Sequence, residues 1–248
     1  MKISIITVSF NAADTIADTI ASVQAQDHPD VEHVVVDGVS TDGTQAIVAR
    51  MADARTIFSS EPDKGLYDAM NKGVARATGD VIGILNADDY FAAPDILSRI
   101  ARTFEARPGL DAALGDVAFL AGGLGLGRRY DSGRFRPDRI GWGWMPAHPG
   151  MYLSRGAYDR VGPYDTSFRI ASDFDFVVRA FAKAGLTYQH LPEILVLMRP
   201  GGVSTSGLRA KMTINREMLR SCRLHGVRSS WPMILSKYAF KSLEYFRR

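Results

Sequence analysis

Val81-Ile82-Gly83-Ile84-Leu85, followed at once by Asn86-Ala87-Asp88-Asp89, joins an apolar run to two adjacent carboxylates. A short β-branched segment with turn residues at both ends suits a strand buried on both faces, as in a parallel sheet covered by helices. Open α/β sheets hold their ligands outside the carboxyl ends of such strands, which is where Asp88 and Asp89 fall. Two neighbouring ionised carboxylates raise one another's pKa. A hard divalent cation relieves that repulsion and also bridges the phosphates of a nucleotide. Taken alone, the pair is equally a solvated turn with a cap for the helix that begins near Pro94.

Upstream, the chain alternates apolar runs with helical spacings. Residues 3–10 read as a strand. Ile16, Ile20 and Val23 then recur at helical spacing, with Asp14 or Asn11 as the cap. His33-Val34-Val35-Val36 is a second strand, and the polar loop 37–44 leads from it into a helix through Ile47, Val48 and Met51. Thr56-Ile57-Phe58-Ser59 is a third, followed by Glu61-Pro62-Asp63-Lys64-Gly65 and a helix through Met70 and Val74. This alternation predicts an α/β fold, a mostly parallel, Rossmann-like sheet flanked by helices.

Beyond Arg107 the pattern loosens. Residues 112–117 and 194–197 read as strands and 174–181 as an apolar helix. Residues 122–127 form a glycine-rich hairpin or loop, without the following helix that a dinucleotide fingerprint requires. Residues 142–150, aromatic and polar, suit a loop lining a site. From Lys211 onward the chain reads as a basic helical extension.

The 248 residues suffice for one large domain with an appendage. A net charge of +3 gives no reason to expect nucleic acid as a partner. The single cysteine, Cys222, excludes an internal disulfide framework. No apolar stretch reaches the length of a membrane span, and the N-terminal run is short and lacks a cleavage site. A cytoplasmic location is the expectation.

Four polar loops follow predicted strands of one parallel sheet: Ser9-Phe10-Asn11, 37–44, 61–65 and 86–89. All four therefore lie on one edge and can converge on one ligand. Asp37 can accept a base N–H, while Thr7 and Ser9 offer backbone and hydroxyl contacts. Asp42 suits turn and capping chemistry as well as any ligand role.

The run from Ser4 to Asn11, the loop Val36-Asp37-Gly38-Val39-Ser40-Thr41-Asp42-Gly43-Thr44 and the stretch from Asp63-Lys64-Gly65 through Asp68-Ala69-Met70-Asn71-Lys72-Gly73 resemble glycosyltransferase family 2. Ala77-Thr78-Gly79-Asp80 leading to Asn86-Ala87-Asp88-Asp89 extends the match, which spans roughly the first two hundred residues. The resemblance implies a GT-A fold binding a nucleotide sugar, a UDP-sugar by expectation. It implies a nucleotide half over about 1–115, an acceptor half over about 116–205, and a basic helical tail over 206–248. It makes Asp37 the partner of the donor's base and sets Thr7, Ser9, Asn11 and Lys64 around the nucleotide. Asp88 would face the ribose or diphosphate, and Asp89 would ligate Mg²⁺ or Mn²⁺.

In Arg169-Ile170-Ala171-Ser172-Asp173-Phe174-Asp175-Phe176 two acidic residues open an apolar helix, where their charge alone is favourable. That accounts for Asp175. By resemblance Asp173 is the general base, with Ser172-Asp173 standing where many members have Glu-Asp. Such a base deprotonates an acceptor hydroxyl that attacks the anomeric carbon from the face opposite the leaving diphosphate, giving inversion. The acceptor is expected to be a glycan or a lipid-linked saccharide of a bacterial surface polymer.

His148, in Ala147-His148-Pro149-Gly150-Met151, is a candidate for sugar, acceptor or phosphate contact, against an ordinary structural histidine. Trp144 offers a stacking face or plain packing. Arg199 opens Arg199-Pro200-Gly201-Gly202-Val203-Ser204-Thr205, which resembles a loop closing over the donor. There it would meet diphosphate charge or stand as a surface arginine. Residues 230–248 mix aromatics with cations, as in a peripheral membrane contact or a docked terminal helix. A nucleotidyltransferase is the competing enzyme class, but Ser9-Phe10-Asn11-Ala12-Ala13-Asp14 has neither the glycine nor the cation of its phosphate loop. A non-catalytic nucleotide-sugar-binding module is the other alternative.

Overall fold

The computed structural model describes residues 1–120, 126–200 and 207–245. Four strands, β1 (Ile3–Ser9), β2 (Val31–Asp37), β3 (Thr56–Ser60) and β4 (Val81–Ile84), run parallel in the order β3-β2-β1-β4. They are linked by α1 (Ile16–Gln24), α2 (Thr44–Met51) and α3 (Leu66–Arg76). β1 is buried throughout. Its Ile6 and Val8 join Val34 and Val36 under α3, while Ile3 and Ile5 face the opposite layer with Val31 and Val81. This two-sided burial explains the unbroken apolar runs in the sequence.

The sheet continues without a break through β8 (Met151–Ser154), β6 (Ala112–Leu120), β9 (Tyr188–Met198) and β5 (Asp89–Phe91), with β7 (Leu126–Tyr130) paired to β6. β8 is antiparallel to both β4 and β6, so β6 and its parallel neighbour β9 point the same way as the first four strands. The chain enters β8 from the edge where those strands end. β4 and β8 approach closely because Gly83 has no side chain: a Cβ there would sit 2.4 Å from the Tyr152 ring.

α4 (Ile96–Ala106) covers one face through Ile96, Leu97, Ile100 and Phe104. α5 (Arg155–Val161), α6 (Ser172–Val177), α7 (Gly207–Leu224) and α8 (Trp231–Tyr245) belong to the other layer. There Met218, Leu219, Cys222 and Ile234 share a core with Phe174 and Phe176. The apolar helix expected over 174–181 begins two residues earlier and changes to a π-helical turn over Val178–Lys183. Neither Asp14 nor Asn11 caps α1, whose first position follows Thr15 without a side-chain cap. Asn11 instead takes a positive φ of 48° and accepts a hydrogen bond from Thr41 N at 3.0 Å. Of the glycine-rich segment, residues 121–125 lie outside the described residues, as do 201–206 of the expected donor loop and 246–248 of the tail. Among the described residues, no helix is long and apolar enough to cross a membrane.

One buried carboxylate ties the far edge of the parallel half together. Glu32 accepts from Ser4 Oγ, Thr78 N, Thr78 Oγ1 and Lys2 Nζ, each at 2.7 Å. Burial alone would raise its pKa, yet these four donors hold it down at about 2.

Candidate active site

The ends of β1, β2, β3 and β4 meet on one edge, and the loops that leave them interlock. Asp37, fully buried at the end of β2, accepts from Ser9 Oγ at 3.1 Å and from Ser40 Oγ on one oxygen. Its other oxygen takes Ser40 N at 2.9 Å and Ser60 Oγ at 2.8 Å. All four lone-pair directions of the carboxylate are engaged. A base N–H therefore reaches Asp37 only where one of the serine hydroxyls turns away. Asn11 N donates to Ser40 Oγ at 2.8 Å, so the β1 and β2 loops form one unit. The Thr7 hydroxyl lies inside the sheet, 2.9 Å from His33 Nε2, and Thr7 is fully buried opposite Val35, so it is a core residue of β1 and not the exposed nucleotide contact the sequence suggested. Gly38 lets the third loop close in, since a Cβ there would meet Asp63 Oδ2 at 2.5 Å. Lys64 is exposed on that loop, its N–H held by Asp68 at 3.0 Å.

The Asp88–Asp89 pair is not the cap of α4; that position belongs to Asp95. Asp89 opens β5, opposite Met198 of β9, and its side chain is buried at 1% exposure, whereas Asp88 is partly exposed. Burial, and then the charge of Asp88, push the Asp89 carboxyl up to about 7, with Asn86 and Arg199 pulling the other way. Asn86 Nδ2 donates to Asp89 Oδ2 at 3.1 Å, and Asn86 Oδ1 beside it is buried without a hydrogen-bond partner. A buried amide oxygen without a partner among the described residues, next to a buried carboxylate, makes an all-oxygen donor set that fits Mg²⁺ or Mn²⁺. Arg199 is held here too: its guanidinium donates to Asp88 O at 3.2 Å, pairs with Asp18, and lies over the Tyr90 ring at 5.2 Å.

A third group gathers at the start of α6. Asp173 is partly exposed and accepts from its neighbour Phe174 N at 2.8 Å and from Tyr67 Oη at 3.5 Å. Desolvation raises its pKa to about 6. The Tyr67 hydroxyl also bonds Ile170 O. Tyr67 stacks on Tyr164, whose hydroxyl lies 3.0 Å from His148 Nε2. Burial lowers the His148 pKa to about 4, so its imidazole is neutral and offers a hydrogen bond, not charge. Trp144 is partly exposed on the same segment, and Trp142 is 43% exposed.

Asp175 does more than place charge at a helix start. It is buried and accepts from Arg179 Nε, Ser221 Oγ and His225 Nε2 at 2.8 to 2.9 Å. Glu217, also on α7, accepts the N–H groups of Arg169, Ile170 and Ala171 at 2.8 to 2.9 Å. Tyr67, Tyr164 and Glu217 escaped the sequence reading. Tyr67 lay inside the Gly65–Gly73 run that carried the resemblance; Tyr164 and Glu217 have no local signature.

Among the described residues, one cluster has metal-ligand spacing: Asp116, Asp131 and His190, with ligand atoms within 4.8 Å of one another. Asp116 is already paired with Arg129 and His190 and accepts Ser132 N at 2.8 Å. Arg129 of β7 also donates to Pro192 O at 2.9 Å, so these contacts clasp β6, β7 and β9 together. Asp173 does not share a ligand shell with Asp88 and Asp89.

A parallel first half, a mixed-sheet second half and carboxylates at the ends of the parallel strands have the architecture of a GT-A glycosyltransferase. The chain belongs to glycosyltransferase family 2: residues 4–153 match the family described as Glycosyl transferase family 2. It is 31% identical to a PGL/p-HBAD biosynthesis glycosyltransferase of Mycobacterium bovis (strain BCG / Pasteur 1173P2), over 94% of this chain and 92% of that one. It is 32% identical to an uncharacterized glycosyltransferase of Mycobacterium tuberculosis (strain CDC 1551 / Oshkosh), over 72% of this chain and 68% of the relative. Among solved structures, S. aureus TarS 1-349 in complex with UDP-GlcNAc shares the fold with a TM-score of 0.72 at 19% identity, covering 91% of this chain and 65% of TarS. A mannosyltransferase from Pyrobaculum calidifontis, in complex with GDP-Man and Mn²⁺, aligns with a TM-score of 0.68 at 22% identity, covering 96% of this chain and 69% of the other.

Proposed function

We propose that the protein is an inverting, metal-dependent glycosyltransferase that moves a sugar from a nucleoside diphosphate donor, a UDP-sugar, to a hydroxyl of a glycan or lipid-linked saccharide. The observation that carries this reading is Asp173: a partly exposed carboxylate with its pKa pushed up to about 6, fixed at a helix start by Tyr67. A base of that strength is ionised at neutral pH yet still holds a proton usefully.

The donor's nucleoside lies over the Ser9, Asn11 and Asp37 loops, and Lys64 faces its phosphates. Asp89, Asp88 and Asn86 would hold the divalent cation, which would supply Lewis-acid neutralisation of the departing diphosphate. Asp173 takes the proton of the acceptor hydroxyl as the oxygen attacks the anomeric carbon, and the bond to the diphosphate breaks on the opposite face. The neutral His148 and the Tyr164 hydroxyl orient the sugar or acceptor without adding charge. The complexes of the fold relatives with UDP-GlcNAc and with GDP-Man and Mn²⁺ support a nucleotide-sugar donor and a cation.

The test is a panel of nucleotide sugars with and without Mn²⁺, read by thermal shift. It is followed by assignment of the product's anomeric configuration with the donor that binds. UDP-sugar binding strengthened by Mn²⁺ and an inverted product are expected. A retained configuration would remove the direct-displacement role of Asp173.

A further inference from the structure

We propose that the outer face of α7 docks on an anionic lipid bilayer. Charge is segregated along this chain. Residues 207–248 carry ten Lys/Arg against two Asp/Glu, a net of +8, whereas residues 1–206 carry 20 against 25, a net of −5. On α7, Arg209, Arg216 and Arg223 recur every seven residues, which sets them on one line about 21 Å long at the helical rise. All three are exposed, and none forms an ion pair among the described residues. Met212 and Leu224, 51% and 60% exposed, flank the stripe. The adjoining α8 exposes Trp231 and Leu235. Cations alone would fit any polyanion; cations interleaved with exposed Met, Leu and Trp fit a headgroup layer, where apolar groups gain from partial immersion.

The opposite side of the same helix holds the base in place. Glu217 binds the N–H groups of residues 169–171, and Ser221 and His225 bind Asp175. A bilayer seated on α7 would lie about one helix diameter, ~10 Å, from this segment. A hydroxyl carried on a lipid would reach Asp173 from there. That last step rests on the proposed function; the docking surface does not.

The experiment is co-sedimentation of the full chain with phosphatidylcholine vesicles containing about one-third phosphatidylglycerol, and with pure phosphatidylcholine vesicles. The comparison protein carries Arg209→Gln, Arg216→Gln and Arg223→Gln together. The wild type should bind only the anionic vesicles. Each arginine contributes about fivefold, so the triple variant should bind roughly a hundredfold more weakly, and salt on the order of 0.5 M should release the wild type. An unchanged melting temperature and unchanged UDP affinity would show that the variant is folded with its donor site intact. Equal binding to both vesicles, no binding to either, or full binding by the triple variant would each overturn the proposal. So would preference for single-stranded nucleic acid over the anionic vesicle. Failure of glycosyl transfer would leave the vesicle result standing, so the two readings fall separately.

Discussion

The hydroxyl of Tyr67 donates to Ile170 O and lies 3.5 Å from the carboxylate of Asp173, so a residue in the first turn of α3 bridges to the proposed base 106 positions later in the chain. Tyr67→Phe keeps the stack on Tyr164 and removes only this bridge. Loss of about 1 kcal/mol of positioning predicts roughly fivefold lower kcat with an unchanged donor KM. The Tyr67 hydroxyl lowers the Asp173 pKa, so the variant's pH profile should shift to higher pH. An unmoved profile would mean that the tyrosine only packs.

Asp173 itself sets a pH dependence of opposite sign for activity and for stability. As the proposed base it must be ionised, so kcat/KM should rise with pH through about 6 and level off above. Its folded pKa lies above the ordinary carboxyl value of 3.8, so its contribution to stability is complete below that value and is lost as pH rises through about 6. Asp173→Asn should therefore lower kcat by roughly 10²- to 10⁴-fold while raising the melting temperature at pH 8. The gain, on the order of 3 kcal/mol at most, should vanish near pH 4. Calorimetry at the two pH values checks the sign.

Removal of the cation should weaken the donor and not the fold. With chelator present, UDP affinity should fall at least tenfold. In Asp89→Asn the affinity should be equally low with and without Mn²⁺. Titration of UDP into both proteins distinguishes this from general damage, because the variant should melt no lower than the wild type: a neutral side chain replaces a buried carboxylate beside Asp88.

Glu217→Ala strands three backbone N–H groups ahead of α6, a loss of about 1–3 kcal/mol. The same change should depress kcat, because those N–H groups precede Asp173 by two to four residues. Glu217→Gln keeps an acceptor oxygen and should recover part of both losses. Equal damage by Ala and Gln would point to the charge of Glu217 in place of its hydrogen bonds.

Glu32 predicts the acid limb. With its pKa held at about 2 against an ordinary 4.5, its stabilisation is present above about 4.5 and is lost as pH falls toward 2. Glu32→Gln should unfold more easily at neutral pH and match the wild type near pH 2.

Much of the parallel half was legible because its chemistry is local. Strands β1, β2 and β4 announce themselves by their β-branched apolar residues, and the Asp37 and Asp88–Asp89 loops follow β2 and β4 directly. The second half resists this reading for a physical reason. β5 has three residues and exists through its pairing with β9, while β9 starts six residues earlier than its apolar centre at Ile194 because it runs beside β6. Asp175 carries the same local pattern as Asp173, and only the distant Ser221 and His225 tell the two apart. Tyr164 and Glu217 act through contacts across the fold, which no spacing along the chain encodes.

The grip of α7 on Asp175 and on residues 169–171 has a consequence for biosynthesis. The four parallel strands are complete once the chain has passed β4, but β5 with its Asp89 waits for β9, and α6 finds its Glu217, Ser221 and His225 partners only after α7 has been made. The edge that carries Asp89 and the helix that carries Asp173 are thus both closed by late segments, so the two carboxylates reach their final settings only when most of the chain has been made.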